Sequence, residues 1–256
     1  MSFREKMAEA ARKRETNIIL ALDFPYEKPE NRQTLYGRAG NIIEAVSPYI
    51  CAVKINHHLV LPLGVFNGVQ KLLEKAHEKG LLTIMDCKAN DIGSTNQVIA
   101  NYYYEAGFDA LIANPIVGWE EGLKPVFEVA KKWRKGVILL TYMSHKGASE
   151  GYGQMVVDTE SGRKKPQYIV FAEKALKWGA DGVVVGATYP EKIREVYKIL
   201  GWKIPIYSPG VGVQGGEIES ALKAGASYLI VGRAITMSEN PAETTKEIRD
   251  IAKSVK

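Results

Sequence analysis

Two lysines and two carboxylates belong to three neighbouring apolar segments in the first third of the chain. Asp23 ends the first segment, Lys54 lies in the second, and Asp86 and Lys88 end the third. If the third segment is a strand, its alternation places Asp86 and Lys88 on one face. Because buried charge is costly unless it is paired, this pattern favours a functional array over incidental ion pairs. Fixed ammonium and carboxylate groups can stabilise a developing charge and transfer a proton.

A second candidate site lies near the other end of the chain and is suited to an anion. One apolar segment leads into Ser208-Pro-Gly-Val-Gly-Val-Gln-Gly-Gly216, and the next leads into Val231-Gly-Arg233. Glycine lets backbone N–H groups approach an anion, and a helix N-terminus favours negative charge. Tight turns also need glycine, but two such loops accompanied by Arg233 indicate phosphate binding.

The elements that must position these groups alternate in type from Asn17 onward. Short apolar runs, typical of buried parallel strands, are separated by longer segments of helical periodicity. Several helical segments end in a glycine, at Gly80, Gly107, Gly179 and Gly225. The predicted strands are Ile18–Leu22, Ile50–Ile55, Leu81–Met85, Ala110–Ala113, Val137–Leu140, Gly182–Val185, Ile204–Tyr207 and Tyr228–Val231.

Eight strand–helix units predict the α/β class and a (β/α)8 TIM barrel, with phosphate-binding loops after strands 7 and 8. An open, doubly wound sheet is the alternative. No proline-rich or low-complexity linker divides the chain, so we expect one domain over residues 1–256, with an extra N-terminal helix within residues 1–16. Barrel active sites lie at the carboxyl ends of the strands, where both candidate sites would meet. The connection 145–166 is unusually long and is expected to be functional or mobile.

Composition and charge narrow the classes of protein. The 256 residues carry a net charge of +5, and the basic clusters lack the aromatic platform of a nucleic-acid site. No apolar run approaches the ~18 residues of a membrane span. Glutamates at Glu5, Glu9 and Glu15 argue against a transit peptide, and Cys51 and Cys87 lack the spacing of a zinc site. We therefore expect a cytoplasmic protein that binds neither nucleic acid nor membrane.

The third segment carries a recognisable motif. Asp86-Cys-Lys-Ala-Asn-Asp-Ile-Gly-Ser-Thr95 resembles the D-x-K-x-x-D-I-x-x-T signature of orotidine 5'-monophosphate decarboxylases. The likeness continues through Ala-Leu-Asp23, Val-Lys54-Ile, Met143-Ser144-His, the glycine-rich loop and Val-Gly-Arg233. Two positions depart from the pattern. Asn56 stands where a small residue is expected, and Gly93 stands where proline is common.

The resemblance implies decarboxylation of orotidine 5'-monophosphate to uridine 5'-monophosphate without cofactor or metal. It makes Lys88 the proton donor to C6, places Asp86 beside the substrate carboxylate, and has Lys54 hold the array and contact the ribose. Asp91 would complete the catalytic set. The substrate-binding residues that it implies are Asp23, Ile92, Thr95, Ser144, Pro209, Gly212, Gln214, Gly232 and Arg233.

The resemblance also implies a homodimer in which Asp91 and Thr95 reach into the other subunit's site. It makes the segment from Gly210 to Gly216 a candidate mobile lid. Two rival functions remain at this stage. A sugar-phosphate lyase using a Mg²⁺-stabilised enediolate would need a further carboxylate near the rim of strand 2, where the sequence has Asn56. A non-catalytic nucleotide-binding barrel would not need the four charges.

Overall fold

The strands of the chain form a closed barrel and one separate hairpin. The computed structural model describes residues 1–25, 31–159, 161–212 and 215–255. The strands are β1 (Ile18–Ala21), β2 (Ala52–Asn56), β3 (Leu82–Ala89), β4 (Ala110–Ala113), β5 (Gly136–Tyr142), β6 (Met155–Val157), β7 (Lys164–Pro166), β8 (Gly182–Val185), β9 (Ile206–Pro209) and β10 (Tyr228–Val231). Eight of them pair in parallel in the order β1-β10-β9-β8-β5-β4-β3-β2. Since β1 pairs with both β2 and β10, the sheet is closed, and the (β/α)8 prediction is confirmed.

Helices follow the barrel strands, and most of them cover the barrel from outside. They are α1 (Phe3–Arg14), α2 (Arg32–Val46), α3 (His57–Leu63), α4 (Gln70–Glu78), α5 (Gly93–Glu105), α6 (Lys124–Trp133), α7 (Ala148–Gly151), α8 (Gln167–Trp178), α9 (Pro190–Leu200), α10 (Gly215–Ala224), α11 (Arg233–Thr236) and α12 (Pro241–Ser254). The four predicted helix-end glycines all have positive φ, between +69° and +115°. In the part of the chain that the structure describes, no helix has the length and apolar character needed to cross a bilayer.

Helix α1 closes the amino end of the barrel. It begins with a capping box, in which Ser2 accepts from the backbone of Glu5 and the Glu5 carboxylate accepts from the backbone of Ser2. Phe3 and Met7 are fully buried among the side chains that fill the barrel interior. At the other end of α1, the Arg14 guanidinium donates to backbone carbonyls of the β1–β3 region. Helix α1 therefore covers the inner core at the amino ends of the strands, and a cavity can open only at their carboxyl ends.

The long connection 145–166 is partly structured. It contains α7 and the antiparallel pair β6–β7. Its first half packs on Tyr142 at the end of β5, whose ring contacts those of Tyr152, Tyr168 and Tyr189 at centroid distances of 5.2 to 6.0 Å. This aromatic cluster holds the start of the connection against α8 and α9, while the β6–β7 hairpin is largely exposed.

Candidate active site

A cavity of about 660 Å³ opens at the carboxyl end of the barrel. Its floor is the top of the inner core and is apolar, formed by Ala21, Ile112, Leu140, Val184 and Ile230. Its walls carry most of the residues singled out from the sequence, namely Asp23, Lys54, Asp86, Lys88, Ser144, Pro209, Gly212, Gly232 and Arg233. The two candidate sites, which are far apart in the sequence, thus line a single cavity. No described residue of the connection 145–166 lines the cavity.

The charged groups on one wall alternate in sign along a continuous line. The Lys54 ammonium lies 2.8 Å from Oδ2 of Asp86 and 3.6 Å from Oδ1 of Asp23. Lys88 Nζ lies 2.7 Å from the other oxygen of Asp86. Lys54 and Asp86 are buried, at 4% and 8% exposure, whereas Lys88 and Asp23 are partly open to the cavity. Each buried charge therefore has an oppositely charged partner, as the cost of burial demands.

This pairing keeps both buried groups ionised. Burial by itself lowers the pKa of Lys54, but the carboxylates of Asp86 and Asp23 outweigh it and raise that pKa above its ordinary value. Burial likewise raises the pKa of Asp86, but Lys54 and Lys88 together bring it below the usual aspartate range. At neutral pH Lys54 and Asp86 consequently present fixed charges at the cavity wall.

Lys88 reaches Asp86 through an irregular strand. The pairing of β3 with β4 shifts register between Met85 and Ala89, and Lys88 adopts a left-handed backbone with φ +50°. A non-glycine residue in this region is uncommon and costs energy that the surroundings must offset. Alternation along a strand predicted that the two side chains would lie on one face, and they do contact each other. The contact depends on the irregularity in β3 rather than on regular pleating.

Asn56 is a site residue whose part the sequence did not reveal. Its Oδ1 accepts from the backbone N–H of His58 at 2.8 Å and so caps α3. With the oxygen held there, Nδ2 faces Asp23 and donates to Oδ1 at 2.7 Å. The departure from the family pattern therefore adds a neutral donor to the end of the charge array.

Ser144 is held closely by backbone from two other strands. A Cβ on Gly186 would lie 2.6 Å from the Cα of Ser144, and one on Gly210 would lie 3.0 Å from its Cβ. Thr188 Oγ1 donates to the Ser144 carbonyl at 3.0 Å. Gly186 and Thr188 were not predicted as site residues, and they lie beside Ser144 because β8 pairs with β5.

The described residues of the predicted anion site line the same cavity at the ends of β9 and β10. Arg233 opens α11, and Gly232, Pro209 and Gly212 lie beside it on the cavity wall. The N–H of Gly212 is engaged by Oε2 of Glu217 at 2.9 Å, a contact that the sequence did not predict. Gln214 lies outside the described residues, and so does part of the predicted lid.

Asp91, Ile92 and Thr95 do not line the cavity of their own chain. All three are exposed at the start of α5, and Ile92 is 66% exposed. The fold thus separates them from the charge array, although Asp91 follows Lys88 by only three positions in the sequence.

Comparison with known proteins gives consistent matches over most of the chain. The family model described as Orotidine 5'-phosphate decarboxylase / HUMPS family matches residues 16–248. The orotidine 5'-phosphate decarboxylase of Methanosarcina acetivorans is 34% identical over 237 residues, which cover 93% of this chain and 95% of that protein. That of Pyrococcus furiosus is 36% identical over 231 residues, or 90% and 95% of the two chains.

Solved structures agree with the sequence matches. The crystal structure of orotidine 5'-monophosphate decarboxylase from Methanocaldococcus jannaschii complexed with inhibitor BMP has a TM-score of 0.75 and 34% identity, covering 93% of this chain and 98% of that one. The enzyme from Pyrococcus horikoshii has a TM-score of 0.74 and 35% identity, with 92% and 98% covered. These matches confirm the resemblance drawn from the motif: the chain belongs to the orotidine 5'-phosphate decarboxylase / HUMPS family.

Proposed function

We propose that this chain, folded as a single (β/α)8 domain, decarboxylates orotidine 5'-monophosphate to uridine 5'-monophosphate in pyrimidine biosynthesis. The observation that carries the proposal is the alternating line Asp23–Lys54–Asp86–Lys88 on the wall of a cavity that is also lined by Arg233. In the proposed pose the nucleotide places its pyrimidine at the charges and its phosphate at the arginine. Because the two cysteines are thiols, we place the activity in the cytoplasm.

The chemistry explains why a lysine held by a carboxylate is useful here. When the bond from C6 to the carboxylate breaks, its electron pair stays on C6 in the plane of the ring, outside the π system. A fixed ammonium at Lys88 stabilises that charge and then donates a proton to C6, and CO₂ leaves. Asp86 holds the lysine at 2.7 Å, so little reorganisation is needed during the reaction.

Asp86 contributes in a second way. In the proposed pose the substrate carboxylate lies beside Asp86, and two like charges ~4 Å apart repel by about 4 kcal/mol at an intermediate dielectric. This repulsion is relieved as CO₂ forms. Enzymes lower barriers by up to ~23 kcal/mol, so the repulsion is only part of the effect.

Binding energy from the remote phosphate supplies a further part. Arg233 and Gln214 are proposed to hold the phosphate, with backbone N–H groups at Gly212 and Gly232, while Pro209 contacts the nucleotide. Asp23 is proposed to bind a ribose hydroxyl, and Ser144 the pyrimidine edge.

We further propose a homodimer that shares its active sites. Asp91, Ile92 and Thr95 would enter the other subunit's cavity, which accounts for their exposure on their own chain. Large apolar side chains are exposed on and beside α5, and this apolar surface comprises Ile92, Val98, Tyr102 and the neighbouring Phe66. The rings of Phe66 and Tyr102 meet edge-on at 6.0 Å, which joins α5 to the segment after α3. Exposed apolar groups gathered in this way mark interaction sites.

The rival lyase function fits the strand-2 rim less well. A Mg²⁺-stabilised enediolate calls for a carboxylate there, whereas the rim carries the neutral Asn56 amide directed at Asp23. This observation favours decarboxylation.

Turnover of orotidine 5'-monophosphate by purified protein tests the proposal. We expect release of CO₂ at the same rate with and without a chelator. Lys88→Ala should lower kcat by about 1,000-fold or more, while uridine 5'-monophosphate still binds, as measured by calorimetry. Lys124→Ala, which removes an exposed lysine on α6, is the matched control and should retain full activity. Near-normal turnover by Lys88→Ala would overturn its proposed role, and nucleotide binding without turnover would overturn the function.

A further inference from the structure

Asn96 is a fully buried polar residue in the first turns of α5, one position after the exposed Thr95. It is 0% exposed. Its Oδ1 accepts from the backbone N–H of Asp91 at 3.2 Å. Its Nδ2 donates to the Asp91 carbonyl at 2.5 Å and to the Gly122 carbonyl at 3.2 Å. One amide therefore binds both backbone groups of the residue proposed to serve the other subunit.

These three partners define the orientation of the amide. Two carbonyl oxygens require the NH₂ group, and one N–H requires the oxygen, so the reversed amide would lose all three bonds. Buried polar groups that are satisfied in this way specify a single arrangement. The side chain is thus a fixed bracket rather than a filler of the core.

The bracket fastens the Asp91 backbone to a second element. Gly122 belongs to the irregular turn Trp119–Leu123 that precedes α6. The same turn meets the start of α5 directly, because a Cβ on Gly93 would lie 2.8 Å from the carbonyl carbon and oxygen of Glu121. A side chain at position 93 would push this turn away, which accounts for glycine where the family pattern often has proline.

The Asp91 carboxylate is also constrained locally, since its Oδ1 accepts from the Ile92 N–H at 2.7 Å. The residue otherwise sits on a short exposed link between β3 and α5. Without the bracket, binding of substrate would have to order this link, and the cost would reduce the rate.

We infer that Asn96 is a positioning residue that holds Asp91 in the geometry required by the active site of the neighbouring subunit. The inference rests on the proposed function, and specifically on its shared active site. Groups that orient a functional side chain must hold it within a fraction of an ångström, because small misplacements cost large factors in rate. Asn96 acts through Asp91 and touches no substrate in this scheme.

Kinetics of Asn96→Ala give the first test. We expect kcat to fall by about 10- to 100-fold, with a much smaller change in the affinity for uridine 5'-monophosphate. The matched control is Tyr104→Phe, which removes another buried hydrogen bond of the same helix, from Tyr104 Oη to the Gly136 carbonyl at 2.9 Å. Both variants should lower Tm, but Tyr104→Phe should keep its kcat. Equal losses of kcat in the two variants would overturn the inference.

Subunit mixing gives the second test, which a merely structural role would not pass. After exchange with Lys88→Ala, a hybrid dimer contains one site with the native Lys88 of the Asn96→Ala chain. The Asp91 that serves this site comes from the other chain and is held by a native Asn96. Activity well above the sum of the two parents is expected. No gain would mean that Asn96 acts only within its own subunit.

Mixing Asp91→Ala with Lys88→Ala tests the shared active site independently of the role of Asn96. If this pair gains activity and the Asn96→Ala pair does not, the inference fails while the shared site stands. If neither pair gains, with exchange demonstrated by mass spectrometry, the shared site itself fails. Should Asn96→Ala fold poorly, Asn96→Ser replaces it, because its hydroxyl can bond to its own helix. The same outcomes then apply.

Discussion

At the scale of single residues, Glu217 occupies a hydrogen-bond donor of the predicted anion site. Its Oε2 accepts from the Gly212 N–H at 2.9 Å, and it lines the cavity together with Arg233. A phosphate bound at Gly212 must therefore displace a carboxylate that holds the same donor. The phosphate is also repelled by the negative charge of Glu217, which lines the same cavity. Both effects oppose binding of the substrate.

Replacing Glu217 by glutamine tests this competition. Glu217→Gln keeps an oxygen for the Gly212 N–H but removes the negative charge, so uridine 5'-monophosphate should bind about two- to fivefold more tightly. The limit follows from exposure, since an exposed charge contact contributes at most about 1 kcal/mol. Calorimetry measures the change. Glu219→Gln, on the same helix but paired with Lys223, is the control. Unchanged affinity in Glu217→Gln would show that phosphate does not meet this carboxylate.

At the scale of elements, helix α1 is part of the barrel interior rather than an appendage. Phe3 is 1% exposed, and its ring occupies the space next to Gly136 at the start of β5. A Cβ on Gly136 would lie 2.5 Å from atoms of that side chain. The absence of a side chain at Gly136 therefore makes the room that α1 needs to dock.

A double-mutant cycle measures this docking. Phe3→Ala should lower the free energy of unfolding by about 3–5 kcal/mol through the cavity that it leaves. Gly136→Ala should lower it by about 1–3 kcal/mol through overpacking. The double variant should lose less than the sum, because truncation of Phe3 removes its Cγ and Cδ1 contacts with the new methyl group and leaves only the Cβ contact. Urea unfolding gives the values, and strict additivity would mean that the two positions do not touch.

The elements were predictable from the sequence where burial is uniform along them. Parallel barrel strands are covered on both faces, so they appear as continuous apolar runs, and all eight predicted runs overlap barrel strands. The left-handed backbone of Lys88, with φ +50°, was not predictable, because a residue other than glycine rarely adopts this conformation. The β6–β7 hairpin was missed because it is short and largely exposed, with no apolar period.

The candidate site divides in the same way. Residues such as Asp86 and Lys88 could be predicted because charge at the end of an apolar strand is conspicuous. Asn56 and Asn96 could not, since an asparagine is ordinary in a sequence and acquires its part only from partners. One hydrogen-bond partner of Asn96, Gly122, lies 26 positions further along the sequence.

At the scale of the whole molecule, a polar network binds the amino ends of the strands and makes stability depend on pH. Asp109 accepts from Lys135 Nζ at 2.9 Å and from the backbone of Thr83 at 3.0 Å, and it contacts His77 at 2.9 Å. Burial raises the pKa of Asp109, but His77 and Lys135 outweigh it and lower that pKa to about 2. The unfolded chain has an aspartate pKa of about 3.9.

The sign of the pH dependence follows from this depressed pKa. The stabilisation is fully present above about pH 4 and is lost as pH falls towards 2, because the unfolded chain then binds the proton more readily. Asp109→Asn should reduce the free energy of unfolding at pH 7 by about 2–3 kcal/mol and should flatten its decline between pH 4 and 2. Chemical denaturation across this range measures both. Glu120→Gln, at an exposed pair, should change neither, and an unaltered acid slope in Asp109→Asn would contradict the assignment.

In the proposed dimer, each active site needs residues from both chains. A substitution in the apolar surface beside α5 should therefore abolish activity by separating the subunits. Val98 is 51% exposed in the middle of this surface, one turn from Tyr102. A charge buried without a partner at a subunit contact is strongly unfavourable, so Val98→Glu should separate the subunits. The separated chains should then lose turnover, because Asp91 and Thr95 no longer reach a second cavity.

Val157→Glu supplies the matched control for this prediction. Val157 is 59% exposed on the β6–β7 hairpin, so the same change is made on a surface outside the proposed contact. Sedimentation at assay concentrations should show Val98→Glu as a monomer and Val157→Glu as a dimer, with activity following the dimer. Raising the concentration of Val98→Glu should recover activity in step with association. A monomeric Val98→Glu with undiminished kcat would require that each cavity work alone, and Asp91 would then need a role within its own chain.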